Sequence, residues 1–252
     1  MTVKGVLLDI AGVLCDGDKV IPGALEAIAE LRAECLPSRL VTNTTRRPKR
    51  ALVDQLLRLG FDVTPDDVFT GTEALVAHLR ARRLTPYLLV HSALDREFAD
   101  LVGDHPNAVV VGDAADRFTY TRLNSAFRLL LAGAPLLAIA TNRYLKDADE
   151  LSLDAGPFVA ALEYAAQVEA TVFGKPAPAF FDAVLADLGT APDETVMIGD
   201  DVEADVNGAL AVGLQAVLVR TGKYRAGDEL LMNEGGESAA DVRDAVAKVL
   251  SP

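Results

Sequence analysis

The chain has 252 residues, half of them hydrophobic and 24% charged, which excludes a disordered chain and allows a sizeable buried core. Acidic residues outnumber basic ones, 37 to 24, for a formal net charge of −13; that excludes a general nucleic-acid binder and argues against binding to an anionic membrane surface. The two cysteines, Cys15 and Cys35, cannot make a disulfide framework or a zinc cluster, so a reducing, cytoplasmic compartment is expected.

The first run, Val6-Leu7-Leu8, reads as a buried strand ending at Asp9. Asp9 interrupts the apolar N-terminus, which lacks the basic start and small-residue cleavage site of a signal peptide. No apolar stretch approaches the ~18 residues of a membrane span. Pro22 is expected to open a helix with Leu25, Ile28 and Leu31 on one face. Ser38–Val41 reads as a strand ending at Thr42-Asn43, and a helix from Pro48 stops at Gly60. Further strands are expected at 87–90, 108–111, 136–140, 170–173, 195–198 and 216–219. Helices are expected near 96–101, 123–131, 156–166, 178–188 and 202–212.

This alternation predicts an α/β fold: a doubly wound, mostly parallel sheet covered by helices. Residues 80–170 carry their own strand–helix alternation. A smaller α/β cap domain inserted there would leave a core of residues 1–79 and 171–252. Asp9, Thr42 and Asp200-Asp201 all end apolar runs, and ligands of open α/β sheets bind beyond the carboxyl ends of strands.

An aspartate at a strand end can attack phosphorus and split one hard step into two. A threonine hydroxyl and a lysine ammonium can hold phosphoryl oxygens as charge develops. Acidic residues at another strand end can hold a hard cation such as Mg2+ through oxygen. Four pieces occur in that order: Asp9-Ile10-Ala11-Gly12, Leu40-Val41-Thr42-Asn43, Gly174-Lys175-Pro176, and Gly199-Asp200-Asp201 with Asp205. Alone, each has a plain explanation, such as a strand-end cap, a solvated lysine or a helix N-terminus favouring negative charge. Together they resemble the haloacid dehalogenase superfamily of aspartate-dependent phosphohydrolases over nearly the whole chain.

The resemblance implies Asp9 as nucleophile and Thr42 and Lys175 as phosphate binders. It implies Mg2+ held by Asp9, the backbone carbonyl of Ala11 and Asp200, with Asp201 and Asp205 outside them or acting through water. The large insertion between Thr42 and Lys175 resembles subfamily IIA, and segments such as Leu153-Asp154-Ala155-Gly156-Pro157 and Arg220-Thr221-Gly222-Lys223 resemble the phospholysine phosphohistidine inorganic pyrophosphate phosphatase group within it. A small phosphorylated substrate and a homodimer through the cap are implied in the same way. Asn43 is placed to hydrogen-bond near the phosphate, Arg46 to face an anionic substrate, and Asn142 and Arg143 to line the cap side. His78, His91 and His105 show no metal-ligand spacing and read as structural. Cys15 reads as a small buried residue, and Gly112-Asp113 as a turn of the cap.

One position departs from the pattern. Phosphatases of this superfamily usually carry a general acid–base aspartate two residues after the nucleophile, and here Ala11 stands there. Such a group is typically worth ~10²–10⁴-fold. Its loss favours activated donors with weakly basic leaving groups, pyrophosphate or phosphoramidates, over sugar phosphates. It also raises an alternative, a catalytically impaired pseudo-phosphatase that binds a phosphorylated ligand or a protein partner. A dehalogenase is disfavoured, since carbon–halogen cleavage has no use for Lys175 beside Asp200-Asp201.

Overall fold

A computed structural model describes residues 3–147 and 150–251. The chain forms two units: Met1–Thr42, Lys49–Phe69 and Lys175–Pro252 make the first, and Asn43–Pro48 with Thr70–Gly174 the second. Among the described residues no helix is long and apolar enough to cross a membrane.

In the first unit, β1 (Gly5–Asp9) is buried at every position, as a central strand covered on both faces must be. A short antiparallel ladder follows, β2 (Cys15–Asp16) with β3 (Lys19–Val20). Helix α1 (Ala24–Ala33) buries Ala24, Ala27, Ile28 and Leu31 at helical spacing. Next come β4 (Ser38–Thr42), α2 (Lys49–Arg58) and β5 (Val68–Thr70). The second unit holds α3 (Gly71–Arg82), β6 (Pro86–Leu89), β7 (Ala108–Val111), α4 (Tyr120–Leu131), β8 (Leu136–Ala138), the hairpin β9 (Tyr144–Asp147) and β10 (Glu150–Leu153), α5 (Ala155–Ala166) and β11 (Thr171–Val172). The chain then returns to the first unit with α6 (Pro178–Leu188), β12 (Thr195–Gly199), α7 (Gly208–Ala211), β13 (Gln215–Val219), β14 (Gly236–Ala239) and α8 (Val242–Leu250).

The first unit's sheet runs β14-β13-β12-β1-β4-β5. β1 pairs in parallel with β4 on one side and β12 on the other. Chain order reverses at β1, so the gap between β1 and β12 is the topological switch point, where open α/β sheets take their ligands. One face buries Leu8, Leu31, Leu40, Leu56, Ile198, Val217 and Val246. Elsewhere in the same unit the Phe180 ring meets Phe69 and Phe181 edge-on at 5.7 and 5.6 Å between centroids. The second unit has its own parallel sheet, β11-β8-β7-β6, over a core that includes Leu89, Val109, Val111, Leu130, Val159 and Leu162.

Several elements differ from the sequence expectation. The helix expected near 96–101 is a run of 3-10 turns over Ser92–Phe98, burying only Leu94 and Phe98; that apolar face is too small to carry a packed α-helix. The helix expected over 202–212 opens as a π-helical turn, Val202–Asn207, before α7. Asp205 is packed so tightly against Gly199 that an added Cβ there would lie 2.2 Å from Asp205 Cβ, and such widened turns often mark functional sites. The long segment of the second unit runs from Thr70 to Gly174, against the expected 80–170, and Asn43–Pro48, expected in the core, groups with it. Helix α3 belongs to it because a Cβ on Gly71 would lie 3.1 Å from the carbonyls of Ile139 and Phe173, the His78 ring packs on Phe173 at 4.9 Å, and Arg80 pairs with Asp100 at 2.9 Å.

Candidate functional site

Five residues singled out in the sequence sit in the first unit, three of them at strand ends or directly after them. β1 delivers Asp9 and β4 delivers Thr42, both buried. Asp200 follows β12, Asp205 lies in the π-helical turn, and Lys175 opens the segment before α6. After Asp9 the chain doubles back: the Leu14 and Cys15 N–H groups donate to the Ile10 carbonyl, and the Gly12 N–H donates to the Cys15 carbonyl at 2.8 Å. Cys15 is buried, as expected.

Lys175 is 5% exposed. Its ammonium lies 2.5 Å from Asp9 Oδ1 and 2.7 Å from Asp205 Oδ1. One ligand oxygen each from Asp9, Asp200 and Asp205 lie within 4.8 Å of one another. Three buried carboxylates, two of them paired with one ammonium, carry an excess of two negative charges when all are ionised, which is costly in a poorly solvated place unless a cation enters. The strain shows in the proton affinities. Burial, then the Asp9 carboxylate, pushes the Asp200 carboxyl up to about 7, against the opposing Lys223 N–H. Burial pushes Asp205 up as well, with Lys175 opposing and Asp9 adding. Burial would lower Lys175, yet Asp205 and Asp9 together hold it above its ordinary value. Lys175 is therefore a fixed positive charge at neutral pH.

Whether this cluster fits a metal can be judged from its atoms. Asp200 Oδ1 is buried and has no hydrogen-bond partner among the described residues, while Asp200 Oδ2 accepts the Lys223 backbone N–H at 2.7 Å. A hard, all-oxygen donor set with an orphaned carboxylate oxygen and two surplus negative charges fits a divalent cation such as Mg2+.

Asp201 stands apart from the cluster. Its Oδ1 caps the π-helical turn, accepting the Glu203 and Ala204 N–H groups at 3.2 and 3.0 Å, and its Oδ2 pairs with the Lys223 ammonium at 3.1 Å. Burial would raise its carboxyl, but the Ala204 N–H and Lys223 hold it below the usual range. The side chain of Ala11 is exposed and is a methyl group.

Asn43, Arg46, Asn142 and Arg143 belong to the second unit. There the Arg46 guanidinium is bound by Asp113, itself 1% exposed. The turn expected at Gly112-Asp113 is present, with Asp113 Oδ1 accepting the Ala115 N–H at 2.9 Å. Asn142 donates to Asp154 Oδ2 at 3.2 Å, and Asp154 Oδ1 caps α5. Burial pushes the Asp154 carboxyl up, against the Ala155 N–H and Asn142. The Arg143 guanidinium lies 6.0 Å from the Tyr144 ring centroid. Lys223, Gly222 and Gly12, which press on Asp200, had no role in the sequence reading. Arg220–Lys223 enters there only as a segment that carries the family resemblance, and nothing in it points to Asp200.

Comparison with known proteins places this geometry. A family profile described as haloacid dehalogenase-like hydrolase matches residues 6–103, and one described as HAD-hydrolase-like matches residues 172–245. The chain is 47% identical over 231 residues to human haloacid dehalogenase-like hydrolase domain-containing protein 2, covering 92% of this chain and 89% of that protein. It is 44% identical over 234 residues to zebrafish (Danio rerio) phospholysine phosphohistidine inorganic pyrophosphate phosphatase, covering 90% and 87%. The solved structure of the 4-nitrophenylphosphatase of Thermotoga maritima superposes with a TM-score of 0.90 at 26% identity, covering 98% of this chain and 97% of that one. These comparisons lend no support to the non-catalytic binding protein that Ala11 raises.

Proposed function

Since the chain belongs to the haloacid dehalogenase-like hydrolase family, we propose that it is a Mg2+-dependent phosphatase that acts through Asp9 on a small phosphorylated compound. The observation that carries this is the meeting of Asp9, Asp200 and Asp205 in one buried cluster, with the Lys175 ammonium on Asp9 and Asp205. Relatives named as phosphatases, one of them a pyrophosphate phosphatase, support it.

Asp9, Asp200 and Asp205 would hold the cation, with the Ala11 carbonyl completing the site and Asp201 acting from outside it. When bound, the cation supplies Lewis-acid neutralisation of phosphoryl oxygens. Asp9 keeps one oxygen on Lys175 and attacks phosphorus with the carboxylate. An O–P bond forms, the bond to the leaving group breaks, and the leaving group departs with the bonding pair. Lys175 and the Thr42 hydroxyl hold the equatorial oxygens as charge grows on them. Water then attacks phosphorus, the Asp9–phosphorus bond breaks, inorganic phosphate leaves and the Asp9 carboxylate is restored.

Lys175 is held charged by two carboxylates and has no proton to give near neutral pH, and Ala11 has none at all. The leaving group must then depart unassisted. Phosphate expelled from pyrophosphate, or the neutral amine of a phosphoramidate whose bridging nitrogen already carries its proton, tolerates this better than a sugar alkoxide does. A panel of phosphorylated metabolites with Mg2+, pyrophosphate included, tests the reading by phosphate release. Turnover confined to activated donors is expected, and no release from any of them, or better release from sugar phosphates, would contradict it.

A further inference from the structure

Asp200 is held by a segment that carries no acidic residue. Thr221-Gly222-Lys223 follows β13 and closes over the end of β12. The Lys223 backbone N–H donates to Asp200 Oδ2 at 2.7 Å. The Thr221 hydroxyl donates to the Gly12 carbonyl at 2.6 Å, across 209 residues of sequence. Gly12 and Gly222 press on the same carboxylate. A Cβ on either would lie 2.0 Å from Asp200 Oδ2, and a Cβ on Gly222 would lie 2.5 Å from Gly12 Cα. Their φ values of +83° and +63° lie in the left-handed region that side chains disfavour. Glycine is required at both places by space and by backbone conformation together. The Lys223 side chain, meanwhile, draws Asp201 Oδ2 to itself at 3.1 Å.

A carboxylate that must freeze its rotamers to take up a cation binds less tightly than one already fixed. Asp200 is fixed: the cradle locks Oδ2 and leaves Oδ1, the oxygen with no hydrogen-bond partner among the described residues, as the ligand. We propose that Gly12, Thr221 and Gly222 are positioning residues that set the cation affinity of the Asp9–Asp200–Asp205 cluster by clamping Asp200 Oδ2. This rests on the reading of that cluster as the cation site.

The test is equilibrium titration of the full chain with Mg2+ by calorimetry, for the wild type, Asp200→Asn, Gly222→Ala and Thr221→Val, with the metal-free melting temperature as the check on folding. Mg2+ binding is expected in the wild type and lost in Asp200→Asn. Outer partners of metal ligands are typically worth about 10–100-fold in affinity, so Gly222→Ala is expected to weaken binding at least about tenfold. Thr221→Val, which keeps shape and removes one hydrogen bond, is expected to weaken it several-fold with a melting temperature near that of the wild type. If Gly222→Ala does not fold, Thr221→Val decides alone. A wild type that binds no Mg2+ overturns the cation-site reading itself. A wild type that binds, beside folded cradle variants that bind equally well, overturns the cradle and leaves the cation site standing.

Discussion

The ammonium of Lys175 lies 2.5 Å from Asp9 Oδ1, although 166 residues separate the two in sequence. The contact needs the whole first unit to fold, because Asp9 ends the central strand and Lys175 enters only after the second unit is complete. Removing the ammonium while keeping the stem, as in Lys175→Met, takes away one preorganised positive group at the developing phosphoryl charge. Such a group is worth about 10²–10³-fold in kcat. Steady-state phosphate release measures the loss, and unchanged turnover would remove Lys175 from the phosphate site.

Ala11 is exposed, so an aspartate there need not bury a charge. Ala11→Asp restores a group able to protonate a poor leaving group, and general acids typically contribute ~10²–10⁴-fold. Turnover of phosphomonoesters should rise by about 10²-fold or more, while pyrophosphate, which needs little protonation, should gain far less. Equal gains on both substrates, or none on the monoester, would show that the missing proton donor is not limiting.

The proton affinity of Asp200 gives a pH signature. Without a cation, burial and the Asp9 carboxylate hold its carboxyl up at about 7, against an ordinary value of 3.8. The folded chain thus keeps a proton that the unfolded chain has released between those values. The stabilisation this gives is fully present below the ordinary value and is lost as pH rises through about 7. Mg2+ needs the ionised form, so its apparent affinity should weaken by up to about tenfold per pH unit below that point. The rise in melting temperature on adding Mg2+ should therefore be larger at about pH 8 than at about pH 5.5. Equal shifts at both would contradict the pairing of a raised Asp200 carboxyl with a ligand role for it.

Phe180 is fully buried and meets Phe69 and Phe181 edge-on. Phe180→Ala removes a large apolar surface and leaves a cavity that the flanking rings cannot fill. The expected cost is about 3–5 kcal/mol in unfolding free energy, measured by denaturant titration. A cost below about 1 kcal/mol would show that the core around α6 re-collapses easily.

The strand ends were legible because each is a short, wholly apolar run cut off by a polar residue, as in Val6–Asp9 and Val196–Asp200. That pattern anticipated the sheet and the convergence of strand ends at Asp9 and Asp200, while the place of Lys175 and Asp205 beside them was only implied by the family resemblance of the four motifs. Helix α3 carries a local signal of its own, the capping box of Thr70 with Glu73. So does α8, capped by Asp241 on the Asp244 N–H. The paired strands Tyr144–Asp147 and Glu150–Leu153 have no strong alternation in sequence, so periodicity does not announce them. The π-helical turn at Asp205 was beyond reach for another reason: it packs closely against Gly199, a contact that no local pattern encodes. The cradle around Asp200 likewise joins Gly12 to Gly222 across 210 positions of chain, and two glycines carry no chemistry of their own until they meet.

The claim that Asp9 is the attacking group is tested most directly by rapid mixing with substrate and Mg2+, acid quench, and peptide mass analysis. A phosphoryl group is expected on the peptide that contains Asp9 in the wild type. Neither that adduct nor phosphate release is expected in Asp9→Asn. Undiminished phosphate release by Asp9→Asn, or wild-type turnover with the phosphoryl group on a different residue, would contradict it.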